Sequence, residues 1–347
     1  MKTIFVTGAA GFIGSNFVRY WLDRHPSDSV VALDVLSYAG NEANLHDVMD
    51  RITFVKADIG DTPTVAKILR QRHVNIIVNF AAESHNSLAV LYPERFFHTN
   101  VMGTQGLLEA ARQVGVDRFH HVSTCEVYGD LPLDSTELFT ETSPYRPRTP
   151  YSASKACSDH VVRAYSETYH LPVTISNCAN NYGPYQFPEK VIPVFATKLL
   201  LGENIPVYKS SDHRREWIQV TDHCRAIDMV LSSGRVGETY HIGTGVEASV
   251  AQIASIVLSE LSAGDDRITS VVDRPGHDRR YVLDSTKIRK ELGWEPLVQF
   301  DNGVRETIRW YAANQKWWEP LLIKRLVTEE NWSSETSRQP VHSGHDR

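Results

Sequence analysis

The chain has 347 residues, with 36 Lys and Arg against 42 Asp and Glu, a formal charge of -6, and 41% hydrophobic and 22% charged residues. That balance fits an ordinary globular protein of one large domain or two modest ones, and it excludes a disordered or fibrous chain. Without a basic excess to neutralise phosphates along a duplex, it also argues against nucleic acid as a partner.

Thr3–Val6 reads as a short strand that runs into TGAAGFIGS. This motif spaces Gly8, Gly11 and Gly14 as G-x-x-G-x-x-G at the head of a helix predicted over Phe12–Arg24. Glycines at such a turn let the backbone approach a pyrophosphate, whose charge the helix N-terminus stabilises. Gly8, Gly11, Phe12, Ile13 and Gly14 therefore form the candidate dinucleotide loop. A second strand, Ser29–Leu33, ends at Asp34. A carboxylate about 20 residues past the glycines accepts hydrogen bonds from the adenosine ribose and repels a 2′-phosphate, so the expected cofactor is NAD rather than NADP.

A third strand, Thr53–Lys56, precedes Asp58, a candidate partner for the adenine amine with a plain turn as the alternative. A helix over Thr62–Gln71 and a strand over Ile76–Asn79 follow, then AAESH at 81–85 and a helix over Val101–Val114. The next strand, Arg118–Ser123, delivers Ser123, Thr124, Cys125 and Glu126 to the carboxyl edge, where parallel sheets bind ligands. His120 and His121 point to opposite faces of that strand and cannot share a metal, and no metal site is expected. Tyr151 and Lys155, four apart at the head of a helix over Ser152–Tyr169, share one face and can converge on one substrate hydroxyl. An ammonium beside a phenol lowers its pKa, which suits the tyrosine to act as base toward an alcohol losing hydride.

With a sixth strand over Val173–Asn177, the pattern is that of an α/β protein built on a doubly wound parallel (Rossmann) sheet with a smaller C-terminal substrate lobe. Residues 1–178 are expected to hold the dinucleotide and 179–330 the substrate, parts of 216–245 returning to the first domain and 331–347 forming a mobile tail. Cys125, Cys157, Cys178 and Cys224 lie far apart without C-x-x-C spacing, so neither a zinc ribbon nor a disulfide framework is expected, and a reducing cytoplasm is the simplest location. The first apolar run is only a strand's length, and none approaches the roughly 18 residues of a membrane span, so no membrane partner is expected.

Taken together, TGAAGFIGS, Asp34, the triplet at 124–126, YSASK, NNYGPYQFPEK and DRPGHDRRY resemble the extended short-chain dehydrogenase/reductase family. The resemblance covers nearly all of residues 1–320 and is closest to nucleotide-sugar 4,6-dehydratases of the dTDP-glucose type. It implies that Tyr151 and Lys155, assisted by Thr124, oxidise a hexose at C4, that the hydride passes to a tightly held NAD, and that Glu126 removes the C5 proton. It also implies substrate anchors: Lys190, Arg215 and Arg274 on a diphosphate with His277 as a nearby donor, an amide contact from Asn181, and Pro206 and Tyr208 flanking a pyrimidine. A homodimer formed by pairing the helices Val101–Val114 and Ser152–Tyr169 is implied as well.

Three stretches depart from that family. Its usual triplet is Thr-Asp-Glu, the aspartic acid protonating the departing C6 hydroxyl, whereas this chain has Cys125. A thiol with an ordinary pKa near 8.5 is protonated at neutral pH and qualifies as that acid, although it is a weak donor; the alternative is a small buried replacement. After AAESH the family usually continues Val-Asp-Arg-Ser, but Asn86, Ser87, Leu88 and Ala89 follow here, and Val250 stands where an asparagine is common. The expected activity is a lyase reaction, the NAD-dependent dehydration of a nucleotide-diphosphate hexose to a 4-keto-6-deoxy sugar. A Thr-Cys-Glu triplet also suits a 5,6-dehydratase that releases an exocyclic alkene. A 4-epimerase would have no use for Glu126, and a dinucleotide-sensing protein would need a broken Tyr–Lys pair.

Overall fold

The computed structural model describes residues 1–273 and 278–324. Six strands come from the first half of the chain: β1 (Thr3–Thr7), β2 (Ser29–Asp34), β3 (Ile52–Lys56), β4 (Ile76–Asn79), β5 (Arg118–Thr124) and β6 (Val173–Cys178). They form one sheet with a later strand, Thr239–Ile242, in the order Thr239–Ile242, β6, β5, β4, β1, β2, β3. All six pairings are parallel. The strand order reverses between β1 and β4, so the loops leaving these two strands diverge and open a crevice at the carboxyl edge.

Alternation along β1 explains why both faces are covered. Ile4 and Val6 pack into a core with Val18 and Trp21 of the helix Phe12–Arg24 and Ile227 of the helix Val220–Ser233. Phe5 faces the opposite core, with Leu107 of the helix Thr104–Val114 and Val162 of the helix Pro150–Tyr169. Burying each such side chain stabilises the fold by about 1.5–3 kcal/mol, so the sheet is anchored on both sides.

The helix carrying Tyr151 starts two residues earlier than expected. Pro150 takes its first position, and Thr149 caps it by accepting from Ser152 N at 3.1 Å while Ser152 Oγ accepts from Thr149 N at 3.0 Å. The preceding helix begins later, at Thr104, because His98–Gly103 winds as a π-helical turn. The C-terminal part is more regular than its proline- and glycine-rich texture suggests. The strand Arg214–Gln219 pairs with Asn180–Tyr182, Glu247–Ser249 and Arg280–Tyr281, and Ile205–Tyr208 pairs with Ile268–Val271. Helices Val191–Leu200, Val250–Glu260 and Phe300–Ala313 enclose a separate core that includes Phe195, Ile253 and Ile308.

Candidate active site

A cleft of about 530 Å³ follows the reversal point of the sheet. Its lining includes Gly8, Gly11, Phe12, Ile13, Gly14, Asp34 and Asp58 at one end and Thr124, Glu126, Tyr151 and Lys155 farther along. Asn181, Lys190, Pro206, Tyr208 and Arg215 also line it. Arg274 and His277 lie outside the described residues.

The dinucleotide end is a backbone construction. Gly8 adopts φ +63°, and a Cβ there would lie 2.7 Å from Ala81 N, so the turn excludes any side chain; a Cβ on Gly14 would run into Gly8 O. Asp34 Oδ2 accepts from Ala10 N at 2.9 Å and Oδ1 from Leu36 N at 2.8 Å. Each oxygen thereby keeps a lone pair for a further donor, which suits a ribose diol. Burial pushes the Asp34 carboxyl up, while these two N–H groups pull it back. Asp58 lines the cleft and also closes its own turn, Oδ1 accepting from Gly60 N at 2.7 Å. The residues present therefore fit a dinucleotide: a bare glycine turn, a helix N-terminus and an anchored carboxylate.

At the other end, Thr124 terminates β5 and caps the short turn Cys125–Tyr128, its hydroxyl accepting from Glu126 N at 3.2 Å. Burial, then the charge of Glu126, pushes the Tyr151 phenol well above its ordinary range, and a hydrogen bond with Thr124 acts the other way. The lowering expected from Lys155 is not among the main influences on this phenol. Lys155 Nζ donates to Val122 O at 2.8 Å and lies 3.2 Å from His121 Nε2. Burial lowers the Lys155 ammonium to about 8, against the attraction of Asp159. His121, fully buried next to that ammonium, is held well below its ordinary value by desolvation first and Lys155 second.

Cys125, expected to supply the proton to O6 directly or through water, is not among the residues that line the cleft. Its side chain is 0% exposed and packs with Val127, Tyr128, Ala156, Tyr281 and Leu283. The chain turns at Cys125–Tyr128, and only Glu126 of the pair lines the cleft. Burial, followed by the Glu126 charge, drives the thiol well above its ordinary value.

Arg215 is 93% shielded and spends its guanidinium on the carbonyls of Arg214, Asp278 and Arg279, with its plane 4.7 Å from the Tyr281 ring centre. Lys190 Nζ donates to Ser84 O at 2.8 Å. Asn181 is engaged at both ends, Nδ2 donating to Ala179 O at 3.0 Å and Oδ1 lying 2.9 Å from His223 Nδ1.

Glu83, His85, Tyr38 and Glu189 line the cleft without having been assigned to the site from the sequence, where Asn86 stood out only as a departure from the family. Glu83, His85 and Asn86 leave the carboxyl end of β4, and Tyr38 and Glu189 meet across the cleft with Tyr38 OH donating to Glu189 Oε1 at 3.0 Å. The edge rule that singled out 123–126 after β5 applies equally to 80–86 after β4, and it would have found Glu83, His85 and Asn86 though not Glu189.

Residues 5–307 match the family model of GDP-mannose 4,6 dehydratase. The chain belongs to this nucleotide-sugar 4,6-dehydratase family. It is 45% identical to the dTDP-glucose 4,6-dehydratase of Salmonella typhimurium, over 90% of this chain and 94% of that one. Among solved structures it is similar to DesIV, a dTDP-glucose 4,6-dehydratase of Streptomyces venezuelae with NAD and TYD bound, at 50% identity and a TM-score of 0.89, covering 92% of this chain and 99% of the other. The dTDP-glucose 4,6-dehydratase of Bacillus anthracis in complex with NAD gives 43% identity and a TM-score of 0.86, over 92% and 100% of the two chains. Within the family fold, two of the departures noted in the sequence, Asn86 and Val250, line the cleft, while the third, Cys125, does not.

Proposed function

We propose that this protein is an NAD-dependent lyase that dehydrates a nucleotide-diphosphate hexose, giving a 4-keto-6-deoxy sugar nucleotide, as its dTDP-glucose-acting relatives are named for doing. The observation that carries this reading is the single cleft that joins the Gly8–Gly14 turn and Asp34 to Thr124, Glu126, Tyr151 and Lys155. Gly8, Gly11, Phe12, Ile13, Gly14, Asp34 and Asp58 would hold NAD, which when bound supplies the oxidising equivalent for C4 and returns it at the end of the cycle.

Tyr151 takes the proton of the C4 hydroxyl. Burial and Glu126 oppose its ionisation, so the step depends on the positive charge of Lys155, one turn further on the same helix, and on the Thr124 hydroxyl. Once C4 is a ketone, the C5–H bond is acidic. The Glu126 carboxylate takes that proton and the electron pair moves into the C4 carbonyl. The pair then forms the C5–C6 double bond as the O6 hydroxyl leaves with a proton as water. With Cys125 buried and absent from the cleft lining, we assign that proton to Glu126 itself, which has just become a carboxylic acid. The hydride that the cofactor would return goes to C6, and a proton added at C5 balances the one Tyr151 took from O4.

Lys190 and Arg215 suit the diphosphate, and Pro206 and Tyr208 a pyrimidine ring. Asn181, with both ends engaged, contributes by fixing the cleft wall through His223 and Ala179. On this reading residues 1–178, together with the strand Thr239–Ile242, form the cofactor domain and the remainder up to about 330 the substrate lobe. A second copy of the chain is the proposed partner: Phe97, Met102 and Tyr169 are 40%, 59% and 51% exposed on or beside the helices expected to pair. Four free cysteines suit a reducing cytoplasm, and among the described residues no helix is long and apolar enough to cross a membrane.

The test is a panel of thymidine and uridine diphosphate hexoses with product analysis by mass and NMR. Loss of 18 Da with a ketone at C4 and a methyl at C6 is expected. A 5,6-alkene retaining the C4 hydroxyl would replace this reading with 5,6-dehydration, and an unchanged mass with inverted C4 would replace it with epimerisation.

A further inference from the structure

Asn86 opens the helix Asn86–Leu91 and lines the cleft where this family usually carries valine. Its Nδ2 donates to both oxygens of Glu126, at 2.9 Å to Oε2 and 3.3 Å to Oε1. On the other side its Oδ1 accepts from Thr149 Oγ1 at 3.1 Å. The bonding around Thr149 fixes which way the amide points. Thr149 Oγ1 accepts from Ser152 N, and with the Ser152 hydroxyl donating to Thr149 O at 3.1 Å, the Thr149 proton is shared between Ser152 Oγ at 3.0 Å and Asn86 Oδ1; the reverse amide orientation would set an oxygen against the Glu126 carboxylate.

Thr149 is the 5%-exposed N-cap of the helix that carries Tyr151 and Lys155. Asn86 thus ties the carboxylate of Glu126 to the first turn of the helix bearing the oxidising pair. The carboxylate sits on a turn after β5 and the helix starts 24 residues later; the other hydrogen-bonded link between them runs through Thr124, from the Glu126 backbone N–H to the Tyr151 phenol, and does not hold the carboxylate itself. Two donated bonds leave the remaining lone pairs of the carboxylate open, which a base needs.

We propose that Asn86 is a positioning residue for the elimination step, holding the Glu126 carboxylate in a fixed relation to Tyr151 so that it meets C5 and then O6 of the sugar oxidised at C4. The proposal rests on the reading of Glu126 given above. It accounts for an amide at 86 in a chain whose neighbouring residue 125 has withdrawn from the cleft: a carboxyl that must serve both proton transfers gains more from a restricted orientation than one that shares them with a second acid.

The test separates the two chemical steps in single-turnover experiments on the intact protein with the nucleotide hexose that the wild type dehydrates, deuterated at C5. Oxidation is read as reduced-cofactor absorbance, and proton removal as loss of deuterium from C5. Asn86→Val should leave oxidation within about 2-fold and slow deuterium loss and dehydration roughly 10- to 30-fold, a loss in keeping with a misplaced reacting group. Asn86→Ser, which stays polar but is too short to bridge Thr149 and Glu126, should show the same selective loss if the valine variant folds poorly. In a Glu126→Gln background, adding Asn86→Val should change the residual elimination by less than about 2-fold, because the two residues act through one group. Equal losses in both steps, or unaltered elimination in both variants, would overturn the proposal. A wild-type protein that neither releases deuterium nor loses water with any member of the panel would instead overturn the reading of Glu126, and the proposal with it.

Discussion

The two ends of the cleft are built on different principles. At the dinucleotide end the chain uses local backbone: glycines spaced three apart, a helix start and one carboxylate held by the N–H groups of Ala10 and Leu36. At the chemical end it uses side chains gathered from separate stretches, Asn86 after β4, Thr124 and Glu126 after β5, and Tyr151 and Lys155 on the helix that follows. A site of the first kind tolerates changes outside its motif. One of the second kind responds to any residue that sets the relation between segments.

The comparison breaks most sharply at Glu126. Glu126→Gln keeps the shape and removes the base, so dehydration should fall by ~10³-fold or more while oxidation at C4 continues and reduced cofactor accumulates; loss of oxidation to the same extent would show that Glu126 serves the whole site rather than the elimination. At the other end, Gly8→Val forces a side chain into a position where even a Cβ meets Ala81 N at 2.7 Å, with φ at +63°. The expected outcome is a weakening of NAD binding by roughly 10²-fold or more, measured by calorimetry on protein stripped of cofactor, with a strain cost of about 1–3 kcal/mol in thermal unfolding. Unchanged affinity would mean that the glycine turn does not cradle the pyrophosphate.

A smaller effect comes from Lys155, whose ammonium is lowered to about 8 chiefly by burial. If its charge supports Tyr151, the oxidation rate should decline above pH 8, approaching tenfold per unit, in stopped-flow measurements of reduced-cofactor formation. For this one group stability moves the other way. Between about pH 8 and its ordinary value of 10.5 the unfolded chain binds the additional proton, so the contribution of Lys155 to stability rises with pH over that window. An oxidation rate that stays flat to pH 10 would remove the lysine from the mechanism.

What the sequence disclosed follows the same division. The parallel sheet, the glycine turn and Asp34 were legible because each is a local pattern: strand alternation, a fixed glycine spacing and a strand end. Tyr151 and Lys155 were legible because i,i+4 spacing determines a shared helix face. The bridge from Glu126 through Asn86 to Thr149 joins residues 40 and 63 positions apart, and no spacing rule connects them. The orientation of Cys125 was equally hidden, since adjacent residues in a single turn can face either an apolar cluster or a cleft, and only the packing of Tyr128, Ala156, Tyr281 and Leu283 decides which.

Cys125 and Glu126 therefore supply the finest form of the comparison, two neighbours of which one serves the chemistry and the other the core. Cys125→Ser keeps the size and replaces the thiol by a hydroxyl. If the thiol were the acid that protonates O6, dehydration would drop roughly 10²-fold, because a hydroxyl is a far poorer proton donor. Since the side chain is 0% exposed and lies outside the cleft, turnover should instead stay within about 3-fold. The cost should appear in stability, about 1 kcal/mol from placing a hydroxyl among Val127, Tyr128 and Leu283 where the Thr124 side chain offers it a partner, read as a lower denaturation midpoint. Measuring both quantities on one variant decides the matter. A large loss of turnover without a loss of stability would return Cys125 to the elimination step, whereas the reverse pattern leaves Glu126 as the carboxyl that first takes the C5 proton and then surrenders it to the departing oxygen.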